Sequence, residues 1–205
     1  MHLLDQRTLG IVILLLLAML VTVKRLTTGS VLKDTPQGGV LIWLTHVFNL
    51  FFLLIVNPLA AVLLITRQAE GVDPTHVIIG APWLQAVLEA GGLALYVAGY
   101  LLMAWALVSL RSNYQAGGST PRVADKMVIA GPYQWVRHPM YAAALCMSLG
   151  LAGLLQSLAC LALFALYLVL IVSLLPIEEE RLRRAYREQY VAYQREVRRL
   201  IPLVF

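Results

Sequence analysis

The chain has 205 residues, of which 60% are hydrophobic and only 13% charged. A soluble domain normally carries about a quarter charged residues, so this composition excludes an ordinary globular protein and points to an integral membrane protein. The net charge is +5 with 16 Lys and Arg; no stretch reads as a nucleic-acid surface, and the basic C-terminal end suits anionic lipid headgroups better. Cys146 and Cys160 both lie inside apolar runs and read as small buried thiols rather than a disulfide framework or a metal site.

The first apolar run, Leu9 to Val23, is just long enough to span a bilayer. Lys24-Arg25 follow it where a signal peptide would carry small residues, so it reads as a retained helix. A polar loop with Lys33, Asp34 and the turn signal Thr35-Pro36-Gln37-Gly38-Gly39 leads to a second run, Val40 to Ile65. That run holds His46, Asn49 and Asn57-Pro58, and the proline is expected to kink it. The polar residues of this run read first as helix–helix hydrogen-bonding groups. The third run, Trp83 to Leu110, carries Glu89 and the small residues Gly91, Gly92 and Gly99, which permit close helix packing. The segment Arg111 to His138 is rich in Gly, Ser, Asn and Pro and reads as a loop.

From Pro139 to Leu175 the chain is apolar again. As one helix this run would measure about 55 Å, against a hydrocarbon core of about 30 Å, so it is expected to fold into a hairpin turning between Gly150 and Ser157. The hairpin returns Glu178-Glu179-Glu180 to the side from which Arg137-His138-Pro139 entered. Beyond it, Leu182, Tyr186, Tyr190, Tyr193, Val197 and Leu200 recur at helical period, predicting an amphipathic surface helix over Ile177 to Leu200. The expectation is thus an all-α polytopic protein. Three spans in residues 1–110 precede a region 111–205 made of a loop, a two-span hairpin and the surface helix. With five crossings, fourteen of the 16 basic residues fall on one side, leaving Arg7 and Arg67 opposite. The positive-inside rule then puts the N-terminus outside and the polar clusters in the cytoplasm.

Pro139 suits the first turn of a helix, with His138 as cap, and the free N–H groups of that turn would attract an anion. Glu178 and Glu179 across from them suit a ribose diol or an ammonium, with Tyr133 and Tyr141 between. Such a mixture fits a zwitterionic nucleoside ligand of the S-adenosylmethionine kind, and other nucleotides as well.

These residues resemble the integral membrane methyltransferases of the isoprenylcysteine carboxyl methyltransferase and phospholipid methyltransferase group. The group's two-part pattern is met by Gly131, Tyr133, Arg137, His138, Pro139 and Tyr141, and then by Glu178, Glu179, Leu182, Tyr186, Tyr190, Tyr193 and Pro202, with Ser112-Asn113-Tyr114 ahead of the loop. The resemblance implies S-adenosylmethionine as cofactor, contacted by Asp125, Lys126, Met127, Val128, Gly131, Tyr133, His138, Pro139, Met140, Tyr141 and Glu178. It implies methyl transfer to a lipophilic acceptor drawn from the bilayer, with Arg137 orienting a ligand and Glu179 accepting a proton from an amine. Three positions depart from the pattern: Asp125 and Met127 replace His and Leu, and Arg187 stands where Gly is usual. The carboxyl methyltransferases place an arginine at the substrate position occupied here by Leu174, which favours a lipid amine or thiol over a carboxylate. An NADPH-dependent membrane reductase and a non-enzymatic membrane scaffold are the competing classes.

Overall fold

The structure is a computed structural model that describes residues 5–29, 36, 38–114 and 125–200. Lys33, Asp34, Thr35, Gln37, Arg122 and Pro202 lie outside the described residues. Every regular element among those described is helical. They are α1 (Gln6–Thr28), α2 (Val40–Phe51), α3 (Asn57–Thr66), the one-turn α4 (Ala69–Val72), α5 (Pro82–Leu110), α6 (Pro139–Leu155), α7 (Leu158–Tyr186) and α8 (Glu188–Glu196). Short 3₁₀ turns occupy Arg111–Asn113 and Gly131–Gln134.

Four helical runs are long and apolar enough to cross a membrane: Gln6–Thr28, Val40–Thr66, Pro82–Asn113 and Leu158–Tyr186. The α6 helix, at 17 residues, is a shorter apolar helix. Asp5 caps α1, its carboxylate accepting from the Thr8 N–H, and Gly29 ends the helix in the left-handed conformation. The proline in the second run does not simply break it. A π-helical stretch, Phe52–Val56, joins α2 to α3, and the Asn57 amide donates to the Phe52 carbonyl at 2.7 Å. Asn57 in turn accepts from Tyr96 Oη at 2.7 Å, so the irregular turn is fixed by buried hydrogen bonds.

The expected hairpin is present. α6 ends at Leu155, Gln156 takes a left-handed conformation (φ 50°), and Ser157 caps α7 by accepting from the Cys160 N–H. α6 lies closely along α5. A Cβ on Gly99 would stand 2.6 Å from the Ala143 carbonyl oxygen, and one on Gly92 would stand 2.8 Å from that of Gly150. Only a hydrogen side chain permits that approach. Gly91, expected to share this role, faces open space.

The C-terminal part differs from the expected single surface helix. α7 runs through Pro176 to Tyr186 and stops at Arg187 (φ 50°), after which α8 spans only Glu188–Glu196. Pro176 removes one N–H, but the helix is held on both sides of it. Leu174 and Leu175 are wholly buried before it and Glu179 is anchored just after. The break falls at the position where the resemblance led one to expect glycine, the residue that tolerates this backbone conformation best.

Candidate functional site

Gly131 opens the corner that approaches α6. Its φ is 64°, and a Cβ there would strike Ser109 Oγ at 2.3 Å, so only glycine lets the Gly131–Gln134 turn sit against α5. The turn buries Pro132 and Tyr133 and leads through Val136 to Arg137, His138 and the start of α6. The chain's C-terminal end then returns beside it. Val136 and Arg198 form a parallel bridge, Arg137 N–H donates to the Arg198 carbonyl at 2.7 Å, and His138 N–H donates to that of Arg199 at 3.0 Å.

Arg137 and Glu179 meet as an ion pair sealed from solvent, their side chains 8% and 2% exposed. Arg137 Nε and Nη2 donate to Glu179 Oε1 at 2.9 and 2.6 Å. Its Nη1 donates to the carbonyls of Gln194, at 3.2 Å, and Val197. The other carboxylate oxygen, Glu179 Oε2, accepts from Arg199 Nε at 3.0 Å. Glu178 points elsewhere: Tyr141 Oη donates to its Oε2 at 2.7 Å, and His138 Nδ1 lies 3.9 Å from its Oε1. Tyr193 Oη donates to the Tyr133 carbonyl at 2.5 Å, fastening α8 over the same corner. Burial first, and the Glu178 carboxylate second, push the Tyr133 phenol well above its ordinary range, keeping it neutral.

A cavity of about 310 Å³ opens between these elements. At its polar end stand Asp125, Lys126, Met127, Val128, Tyr133, Arg137, His138, Met140, Tyr141 and Glu178. The wall contributed by the spanning helices is mainly apolar, with Leu20, Leu50, Leu53, Met103, Leu107 and Met147, interrupted by His46, Asn49 and Asn57. One continuous space thus joins charged groups to a lining of Leu and Met, as an amphiphilic ligand requires. Two polar groups in its wall meet no hydrogen-bonding partner among the described residues: His138 Nε2, 3.5 Å from Glu179 Oε1 without hydrogen-bond geometry, and Tyr190 Oη.

Most of the residues picked out from the sequence therefore converge, but four do not reach the cavity wall. Gly131 and Pro139 shape the backbone, Leu174 is wholly buried in the core, and Glu179 is turned into its two arginines. The helix start also offers an anion less than expected. Pro139 has no N–H, those of Arg137 and His138 are taken by the Arg198 and Arg199 carbonyls, and those of Tyr141 and Ala142 bond the His138 carbonyl. Several wall residues were not assigned a site role from the sequence. Lys24 stands 5.0 Å over the Tyr114 ring, and His46 and Asn49 line the cavity from α2, Asn49 accepting from Tyr167 Oη. For His46 and Asn49 the signal was present, as polar residues in an apolar run, but helix–helix hydrogen bonding was the preferred explanation over contact with a lipid substrate. Tyr190 and Tyr193 were read as part of an apolar stripe and as matches to the group's second motif, with no contact assigned to either.

No curated protein sequence matches the chain. The fold is similar to a solved structure described as the eukaryotic intramembrane Ras methyltransferase ICMT, isoprenylcysteine carboxyl methyltransferase, with a TM-score of 0.55 and 21% identity over 80% of this chain and 74% of that one. Residues 87–189, just over half of the chain, match the phospholipid methyltransferase family. That stretch carries the α5–α6 pair, the hairpin, both polar clusters and much of the cavity wall, so the match covers the elements that build the site. The chain belongs to the phospholipid methyltransferase family and is an integral membrane methyltransferase.

Proposed function

We propose that the protein moves a methyl group from S-adenosylmethionine to a lipophilic acceptor that reaches the cavity from the bilayer. The observation that carries this reading is the single cavity with a charged end and an apolar depth. The residues present fit the methyl donor. Glu178 supplies a carboxylate for hydroxyls or an ammonium, His138 and Tyr190 hold buried polar groups in want of a partner, and Asp125 to Val128 form one rim. When bound, the donor supplies an already activated methyl on its sulfonium, so no strong nucleophilic side chain is required.

The protein's contribution is then to hold two molecules in line and keep water out. Glu178 and Tyr141 form a fixed acceptor and donor pair between the first turn of α6 and the later part of α7, at the open end of the hairpin. Arg137 orients the site indirectly, by joining the corner at 136–138 to Glu179 and to the Gln194 and Val197 carbonyls at the end of α8. Glu178, which lies on the cavity wall, is better placed than Glu179 to take a proton from an amine. Leu174 offers no cation, and the Arg137 guanidinium is held by Glu179 and two carbonyls, which favours a lipid amine or thiol as acceptor over a carboxylate.

In this reading α6 is a fifth, short crossing paired with α7, the N-terminus is outside, and the polar end opens to the cytoplasm, as the distribution of Lys and Arg supports. Thermal-shift titration of purified protein with S-adenosylhomocysteine, with NADPH as comparator, tests the donor. Stabilisation by the former alone is expected, and stabilisation by NADPH alone refutes the reading. Incubation with methyl-labelled donor and a total membrane extract identifies the acceptor.

A further inference from the structure

The Tyr190 hydroxyl is an anomaly. Tyr190 is 2% exposed, its ring packs beside Tyr193 at 6.0 Å, and its Oη meets no partner among the described residues. Buried hydroxyls in folded proteins are almost always paired, so one left unpaired in a cavity wall marks a place where a ligand atom belongs. His138 Nε2 is the second such atom in the same wall. The two residues come from different elements, α8 and the cap of α6, and both are held firmly: Tyr190 by its burial, His138 by its main-chain bond to Arg199.

The surroundings indicate which part of a ligand would fill the gap. Around His138, Glu178 Oε1 lies 3.9 Å from Nδ1 and Glu179 Oε1 3.5 Å from Nε2, and Arg137 holds that same Glu179 oxygen at 2.6 Å. Burial, reinforced by Glu179, pushes the phenol above its ordinary range, and it stays a neutral group able to donate or accept. The Arg137–Glu179 pair is closed on itself, whereas Glu178 faces the cavity, and a carboxylate set among neutral polar groups suits an ammonium, which the donor's amino-acid end carries and a nucleobase lacks. We infer that Tyr190 is a binding residue for the amino-acid end of the methyl donor, with its hydroxyl completing a polar corner that His138 and Glu178 share. This inference rests on the donor assignment proposed above and assigns a function to a tyrosine otherwise explained as packing.

The test compares two probes on wild type and Tyr190→Phe: S-adenosylhomocysteine, which has the amino-acid end, and 5′-methylthioadenosine, which lacks it. Calorimetric titration of the Phe variant is expected to weaken S-adenosylhomocysteine by about tenfold or more, the size of a hydrogen bond to a charged group, and leave methylthioadenosine within about twofold. Ligand-free Tyr190→Phe should melt at or above the wild-type temperature, because it loses an unpaired buried hydroxyl and keeps the ring. Equal weakening of both probes, or of neither, overturns the assignment. So does a lowered melting temperature without ligand, which would mean the hydroxyl already has a structural partner. Should wild type itself fail to bind S-adenosylhomocysteine, the donor reading falls, and that result is distinct from any comparison of the variant.

Discussion

Replacing Glu179 with glutamine separates a structural role from a chemical one. The substitution keeps shape and removes one charge from a pair whose side chains are 2% and 8% exposed. Breaking a buried ion pair at one partner costs about 3–5 kcal/mol, because the surviving charge stays behind without compensation. Here that survivor is Arg137, and its Nη1 keeps two carbonyl acceptors, Gln194 and Val197, so the low end of the range, about 3 kcal/mol, applies. Arg199 adds little, since its side chain is 34% exposed and water can solvate it. For a chain of this length about 3 kcal/mol corresponds to a drop of roughly 6–12 °C in melting temperature, read in detergent micelles. Arg199→Gln should lower it by no more than about a third of that. Combining Glu179→Gln with Arg137→Gln should cost less than the sum of the two, since each removes the same contact. The reasoning is refuted if Glu179→Gln melts within about 2 °C of wild type while methyl transfer disappears, because the carboxylate would then act in the reaction.

Arg187→Gly should raise stability by about 1 kcal/mol, because Arg187 sits at φ 50° and ψ −125°, a conformation costly for any residue with a Cβ; a detergent melt reads the gain. Gly99→Ala should destabilise by about 1–3 kcal/mol as its methyl meets the Ala143 carbonyl, whereas Gly91→Ala, facing open space, should be neutral or mildly stabilising in the same melt. Asn57→Ala should cost about 1–3 kcal/mol by stranding the buried Tyr96 hydroxyl, and Tyr96→Phe in that background should restore part of it.

The hairpin was legible because bilayer thickness limits helix length, and an apolar run from Pro139 to Leu175 has no other way to fit. The meeting of Tyr141 with Glu178 and of Arg137 with Glu179 follows from that fold alone. The surface helix was misjudged for a reason equally physical. The acids after Ile177 looked like the opening of a new helix, yet burial of Leu174 and Leu175 outweighs the hydrogen bond missing at Pro176, and α7 passes through. The isolated bridge between Val136 and Arg198 was not legible, since a two-residue contact leaves no periodicity to read. Nor was the inner wall of the cavity. Asn49 and His46 look the same in sequence whether they join helices or face a ligand, and Asn49 does both.

The sequence writes Glu178-Glu179-Glu180 as one acidic cluster, but a helix cannot use it as one. Successive residues are rotated by about 100°, so three neighbouring carboxylates must face three different surroundings. Glu178 takes the cavity and Tyr141. Glu179 turns toward the corner, where Arg137 and Arg199 close around it. Glu180 pairs with Arg183 and Arg184 on the exposed side. The division follows from the phase of α7, and that phase is set by Leu174 and Leu175 in the core one turn earlier. A one-residue slip there would carry Glu179 to the cavity and Glu180 toward Arg137, taking from Arg183 and Arg184 the carboxylate they share. The apolar packing of the hairpin thereby decides which acid faces the ligand and which holds the site together.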